Sequence, residues 1–204
     1  MARAGRAPSP LSRAATRSDP RVGAITEDMT RRVVFLDIDG VLAPIRRWDR
    51  YGDIEPACIE VLNEIVASAR ADVVVSSTWR HGKTVVELQA MLEAEGFTGR
   101  VVDKTPTGAH GARRGEEIAA WLAEHVVGGY VIIDDHVDMR DLGTHLVQTH
   151  LAHGLQSADA TRAIATLMRP LTGGSHADRR FPDPPLAERQ DERAASPDPD
   201  LFGR

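Results

Sequence analysis

Short apolar runs and longer mixed segments alternate along the chain between residues 33 and 169. The short runs are rich in Val and Ile and too apolar for strands with one face in water, so they predict buried parallel strands. The longer segments between them predict helices. The predicted strands are 33–37, 72–76, 100–102, 129–133 and 145–148, and the predicted helices are 56–69, 83–95, 115–126 and 157–169. This order predicts an α/β fold, a three-layer sandwich around a mainly parallel sheet.

The two ends of the chain differ in composition from this central part. Residues 1–28 are rich in Arg, Ala, Ser and Pro without an apolar period, and residues 173–204 combine prolines, glycines and charges. Both compositions predict disordered tails, which leaves one folded domain at 29–172. With 204 residues, 42% of them hydrophobic and 27% charged, the chain can bury one good core and no more.

Charge and cysteine content narrow the functional classes. The net charge of −5 argues against a broadly basic surface for nucleic acid. The single cysteine, Cys58, rules out an internal disulfide and fits a reducing cytoplasm, where we expect the protein to reside. No apolar run has the length of a membrane span, so we expect no membrane partner.

The first predicted strand ends in two carboxylates and a glycine, Asp37-Ile38-Asp39-Gly40. Residues i and i+2 of an extended chain point the same way, so Asp37 and Asp39 can share one site. Two like charges this close are costly unless a cation or a shared proton offsets them, which favours a metal site. The alternative is a strand that simply ends in an Asp-Gly turn.

Two further predicted strands end in polar residues. The strand at 72–76 runs into Ser76 and Ser77, and the strand at 129–133 runs into Asp134 and Asp135. In open α/β sheets, ligands bind at the carboxyl ends of the strands. The order acidic, hydroxyl, acidic therefore predicts one binding site built from three strand ends.

This constellation resembles the haloacid dehalogenase superfamily of phosphohydrolases. Ser76-Ser77-Thr78-Trp79-Arg80, Arg114-Gly115-Glu116-Glu117-Ile118 and Val147-Gln148-Thr149 are similar to the small capless branch associated with RNA-repair proteins. The resemblance implies a Rossmann-like core. Only the segment 43–55 separates the first strand from the first helix, which is too short for a folded cap domain, so we expect an uncapped site.

The resemblance also implies roles for the strand-end residues. Asp37 would attack phosphorus and form an aspartyl-phosphate, and Asp39 would act as general acid and then base. Mg²⁺ would be held by the Asp37 carboxylate, the Asp39 main-chain carbonyl and Asp135, with Asp134 as a further ligand or as a group that orients the others. Ser76, with Ser77 as substitute, would bind a phosphoryl oxygen.

Family members also use a basic residue, usually lysine, beside the nucleophile and the phosphate. The chain contains only Lys83 and Lys104, and Lys83 follows the hydroxyl motif too closely. Arg113 and Arg114 stand just before the helix at 115–126, where this group usually lies. We expect Arg114 in the role and Lys104 as second choice. The alternative is a pair of arginines on a solvated loop.

Residues near the expected site mouth allow two interpretations. Trp79 is either a substrate contact or a core anchor. Arg46, Arg47, Arg50 and Arg80 could form a local basic patch, and an ordinary solvated surface explains them equally well.

Together these features predict a Mg²⁺-dependent phosphohydrolase that acts on a phosphorylated substrate. One alternative is a phosphatase of nucleic-acid ends in RNA or DNA repair. The alternative from another class is a catalytically silent binding module that keeps the fold.

Overall fold

The computed structural model of the protein describes residues 31–47, 52–108 and 112–169. The predicted disordered tails, 1–28 and 173–204, and Arg50 lie outside these residues. The strands are β1 (Arg32–Leu36), β2 (Ala71–Val75), β3 (Val101–Lys104), β4 (Gly129–Asp134) and β5 (Leu146–Gln148). The α-helices are α1 (Pro56–Ala69), α2 (Val85–Ala94), α3 (Arg114–Glu124) and α4 (Ser157–Met168), and two 3-10 helices span Thr78–Arg80 and Arg140–His145.

All five strands run parallel in one sheet with the order β3-β2-β1-β4-β5. The first strand is therefore the central one. Arg32 lies opposite Ala71 of β2 on one side and opposite Gly129 of β4 on the other. Because every strand points the same way, all of their carboxyl ends meet at one edge of the sheet, where the functional residues were expected.

Helices cover both faces of the sheet. On one face, side chains such as Val34 and Leu36 pack with α1, α2 and α4 in the larger of two buried clusters. On the other face, Val33 and Phe35 pack with α3 and the second 3-10 helix. The alternation along β1 matches the period of two of an extended strand. The predicted α/β fold with a parallel sheet covered on both faces is confirmed.

The helix ends follow from local sequence. Pro56 opens α1, where its fixed φ suits the first turn and its missing N–H costs nothing. Thr84 caps α2, since its hydroxyl accepts from the Glu87 amide and the Glu87 carboxylate accepts in return from the Thr84 amide. This reciprocal cap starts α2 at Val85 rather than at the predicted residue 83.

The differences from the predicted elements are small. Strand ends move by one or two residues, and the two 3-10 helices were not predicted. Among residues 41–47 and 52–55, between β1 and α1, there is no helix and no strand beyond isolated bridges. The absence of a cap domain stays a prediction. Within the described part of the chain, no helix has both the length and the apolar character to span a membrane.

Candidate active site

The site begins at Asp37, the first residue after β1. Its amide donates to the Ile133 carbonyl oxygen of β4 (3.0 Å), and its side chain is buried, with 3% of the residue exposed. Its Oδ1 accepts from the Ile38 amide at 2.8 Å. Asp37 therefore has a fixed position at the centre of the carboxyl edge of the sheet.

Gly40 allows a second carboxylate to approach this loop. Its φ of +68° lies in the left-handed region, and a Cβ at this position would lie 2.7 Å from the Asp135 Cγ. The Gly40 carbonyl oxygen accepts from the Thr149 hydroxyl (2.9 Å), and the Thr149 amide donates to the Asp134 carbonyl (3.0 Å). Thr149 thus ties the loop after β1 to the end of β4.

Three carboxylates meet at this edge. One oxygen from each of Asp37, Asp134 and Asp135 lies within 4.8 Å of the others. Asp134 Oδ2 is buried without a hydrogen-bond partner in the described residues. Its ion pair with Arg114 is long, at 3.5 Å, so a bound cation would still complete its surroundings. An all-oxygen donor set of this kind suits a hard divalent ion such as Mg²⁺, so the residues fit the expected metal.

Electrostatics also favour a cation here. Burial, and next the charge of Asp37, raise the pKa of Asp134 from 3.8 to about 7. Burial likewise raises the pKa of Asp135, with the repulsion from Asp37 adding to it. Ionising Asp134 and Asp135 beside Asp37 is therefore costly in the metal-free chain, and a bound divalent ion would offset that cost.

Arg114, the first residue of α3, contacts this cluster. Its Nη1 lies 3.1 Å from Asp37 Oδ1 and 3.5 Å from Asp134 Oδ2, and it also donates to the Ser76 carbonyl. Burial opposes the charged guanidinium, but Asp37 and Asp134 hold the pKa of Arg114 above its usual value. Gly115 lets α3 approach closely, since a Cβ there would lie 2.8 Å from the Met139 carbonyl carbon.

The other basic residues of the sequence analysis lie elsewhere. The Lys104 ammonium donates to the main-chain carbonyls of Lys83 and Arg80, and among the described residues it has no ion pair with Asp37. Arg113 is exposed and pairs with Asp138 at 3.1 Å. The structure therefore brings Arg114, and neither Lys104 nor Arg113, to the expected nucleophile.

The two serines after β2 have different surroundings. Ser76 Oγ is buried and has no hydrogen-bond partner in the described residues. Ser77 Oγ accepts from the Trp79 amide (3.3 Å) and caps the first 3-10 helix. Both hydroxyls can still donate to a ligand oxygen, because Ser77 Oγ acts only as an acceptor here, and Ser76 Oγ has no partner at all in the described residues.

Asp39 accepts a hydrogen bond from Trp79 that the sequence does not predict. Its Oδ2 accepts from the Trp79 indole Nε1 at 3.0 Å, while its Oδ1 is buried without a partner in the described residues. Burial raises the pKa of Asp39, which the Trp79 hydrogen bond partly opposes. A raised pKa suits a carboxyl group that must donate a proton. Trp79 also packs against the larger buried cluster, so the core-anchor interpretation describes only part of its contacts.

Arg80 corrects one interpretation from the sequence. The sequence suggests that Arg80 belongs to an exposed basic patch or to a solvated surface, but only 2% of this residue is exposed in the structure. Its guanidinium donates to four main-chain carbonyls and pairs with Glu117 Oε2 at 2.7 Å. These carbonyls belong to Ser76, Ser77, Thr105 and Pro106. Arg80 is therefore a buried clamp between the ends of β2 and β3.

Of the remaining arginines of that suggested patch, the structure describes Arg46 and Arg47. Arg46 is exposed, and its guanidinium forms two hydrogen bonds with the Glu55 carboxylate. Arg47 is also exposed.

The useful signal for Trp79 and Arg80 was their position, two and three residues after Ser77, because a tight turn at a strand end brings such side chains back to that end.

The parallel sheet, with carboxylates after β1 and β4 and hydroxyls after β2, defines a haloacid dehalogenase-like (HAD-like) domain. A family model described as the HAD domain in Swiss Army Knife RNA repair proteins matches residues 33–160, more than half of the chain, and the chain belongs to this family. This result confirms the resemblance drawn from the sequence and places the chain in a superfamily of hydrolases. A search of curated proteins found no match to the chain.

Proposed function

We propose that the chain is a Mg²⁺-dependent phosphomonoesterase whose reaction passes through a phosphorylated Asp37. The observation that carries this proposal is the environment of the Asp37 carboxylate. It belongs to the three-carboxylate cluster and also lies 3.1 Å from the Arg114 guanidinium. A nucleophile for a phosphate dianion needs positive charge beside it, and this environment supplies one fixed cation and a place for a second.

The ligands of the metal come from the strand ends. Asp37, Asp134 and Asp135 would hold Mg²⁺, with the Asp39 main-chain carbonyl as a further ligand expected from the family resemblance. When bound, the ion neutralises charge on the phosphoryl oxygens. Arg114 and the Ser76 hydroxyl bind other phosphoryl oxygens, with Ser77 as the substitute for Ser76.

The reaction has two steps. In the first, an Asp37 oxygen attacks phosphorus, the bond from phosphorus to the leaving oxygen breaks, and Asp39 gives its proton to that oxygen. In the second, water attacks phosphorus, Asp39 takes a proton from the water, and the bond from phosphorus to Asp37 breaks. Inorganic phosphate leaves, and both carboxyl groups return to their starting states.

A nucleic-acid end is the second, finer candidate substrate. The description of the matched family, an RNA-repair domain, favours it. The short segment between β1 and α1 supports an uncapped site, which admits a phosphate on a large molecule.

A catalytically silent binding module is the remaining alternative. Its only support was the missing lysine, and the contact of Arg114 with Asp37 supplies a basic group in its place. A cytoplasmic location stays a prediction.

The test is phosphate release from an aryl phosphate and from oligonucleotides with a 3′- or 5′-phosphate, with Mg²⁺ and with a chelator. We expect Mg²⁺-dependent release by the wild-type chain and a loss of at least about a thousand-fold in Asp37→Asn, because the nucleophile is gone. Asp141→Asn is the matched control, since it makes the same chemical change at an exposed aspartate.

Each outcome selects one interpretation. Release that persists in Asp37→Asn would show that Asp37 is not the nucleophile. Release from oligonucleotides far above that from aryl phosphate would select the nucleic-acid end phosphatase. A folded, Mg²⁺-loaded wild-type chain that binds these molecules and releases no phosphate would select the binding module.

A further inference from the structure

Resting on the proposed function, we propose that Trp79 is a positioning residue for Asp39. Its indole N–H holds one oxygen of the carboxyl group, so that the other oxygen exchanges the proton with the leaving group and with water. The observation behind this proposal is the 3.0 Å hydrogen bond from Trp79 Nε1 to Asp39 Oδ2, between residues 40 positions apart.

The Asp39 side chain needs such an anchor because of where it lies. It follows β1 by three residues and precedes Gly40, whose φ is positive, so it stands in a turn and outside any helix or strand. A carboxyl group on a turn rotates about two side-chain bonds. A general acid acts efficiently only when its proton lies within hydrogen-bond reach of the leaving oxygen.

Trp79 is itself held on several sides. Its amide donates to Ser77 Oγ at 3.3 Å, and its carbonyl accepts from the Lys83 ammonium at 3.1 Å. The next residue is Arg80, whose buried guanidinium is bound to four main-chain carbonyls. The Trp79 ring packs against the larger buried cluster. The indole is thus a rigid support for a neighbour on a turn.

The chemistry of indole decides which carboxyl oxygen exchanges the proton. Indole N–H is a donor only, so Asp39 Oδ2 must act as an acceptor both before and after proton transfer. The carbonyl oxygen of a protonated carboxyl group accepts better than its hydroxyl oxygen, so this hydrogen bond favours the transferable proton on Oδ1, which has no partner in the described residues. In the first step this proton moves to the leaving oxygen, and in the second step a water proton returns to Oδ1.

The test compares two substrates that differ in their need for an acid. An alkyl phosphate has a poor leaving group that must be protonated, whereas a nitrophenyl phosphate releases a stable anion. The measured quantity is kcat/KM for each, since it reports the attack by Asp37. In Trp79→Phe we expect a loss of about 10-fold or more for the alkyl ester, a fraction of what an acid contributes, and a much smaller loss for the nitrophenyl ester.

Trp121→Phe is the matched control. Trp121 also donates its indole N–H to a carboxylate, Asp103 Oδ2 at 2.6 Å, but it packs in the cluster on the other face of the sheet. Trp121→Phe should therefore give the same ratio of the two kcat/KM values as the wild type. In an Asp39→Asn background, Trp79→Phe should not change this ratio further, because both changes remove one function.

Several results would overturn the positioning role. These are an equal loss for both esters, no loss for either, or a further change of the ratio in the Asp39→Asn background. If Trp79→Phe does not fold, as judged by thermal unfolding, benzothienylalanine at position 79 keeps the ring shape without the N–H. This variant must then show the larger loss for the alkyl ester that is expected of Trp79→Phe. A wild-type chain that hydrolyses neither ester would contradict the proposed function and the positioning role together.

Discussion

Replacing Arg80 by lysine should destabilise the folded chain even though the positive charge is kept. Arg80 is buried, and its guanidinium serves five acceptors: four main-chain carbonyl oxygens and the Glu117 carboxylate. The planar guanidinium reaches acceptors in several directions at once. A lysine ammonium carries three N–H donors on one nitrogen, so at least two of these acceptors lose their bond from the side chain of residue 80. Two of the carbonyls also accept from other donors, that of Ser76 from Arg114 and that of Ser77 from the amide of residue 80. The other two are bound by different guanidinium nitrogens, and one ammonium nitrogen cannot take both positions, so we expect at least one acceptor to be left without any partner.

The size of the effect follows from this count. A buried acceptor without a partner costs about 1–3 kcal/mol, so one such acceptor predicts a decrease of about 1–3 kcal/mol in the free energy of unfolding. This is a large share of the roughly 5–15 kcal/mol by which a typical domain is stable. Because the charge beside Glu117 is kept, the larger penalty of an unpaired buried carboxylate is avoided.

Urea unfolding followed by circular dichroism measures this difference. Arg46→Lys is the matched control, since the Arg46 pair with Glu55 is exposed and water can replace the lost hydrogen bonds. Its unfolding midpoint should hardly move. An Arg80→Lys chain with the wild-type midpoint and slope would refute the reasoning, because the buried carbonyls would then not depend on the guanidinium.

Two further predictions concern the carboxylate cluster and its basic partner. Because the pKa of Asp134 is raised to about 7, the folded metal-free chain keeps a proton that the unfolded chain has lost, and its stability falls as the pH rises from about 4 to about 7. With a chelator present, Asp134→Asn should remove the part of this fall that is due to Asp134 and leave the parts due to Asp39 and Asp135, whose pKa values are also raised. In urea unfolding at pH 8 the variant should be about 2–4 kcal/mol more stable than the wild type; equal pH profiles would contradict this. Arg114→Ala should lower kcat/KM for an aryl phosphate by about a hundred-fold or more, and Lys104→Ala should change it little. The opposite ranking would assign the basic role to Lys104.

Much of the fold could be predicted because parallel strands and their covering helices have strong local patterns. The strand at Val33 to Leu36 is a continuous apolar run because helices cover it on both faces. The 3-10 helices could not be predicted in this way, since they span too few residues to show a period. The bounds of α2 depend on a reciprocal cap at Thr84 and Glu87, which the apolar pattern does not include.

For the site, topology explains what could be predicted. Asp37 and Ser76 directly follow parallel strands and Asp134 is the last residue of one, so any order of those strands brings them to the same edge. The spacing of Trp79 and Arg80 after Ser77 indicates that their side chains return to the strand end, but it does not indicate which groups they bind there. An arginine in a sequence suggests a charged surface, and only the structure shows the carbonyl oxygens that allow Arg80 to be buried.

The hydrogen bond between Thr149 and Gly40 also has a consequence for the order of folding. It joins residues 109 positions apart, and the strand that carries the expected nucleophile is synthesised long before β4 and β5. Bringing distant segments together costs chain entropy before any contact rewards it, and chains rich in such contacts fold slowly. We therefore expect the loop after β1 to lack its contact with Thr149 until that residue has been synthesised. We expect the carboxylate cluster to be among the last parts of the domain to form, together with the completion of the sheet.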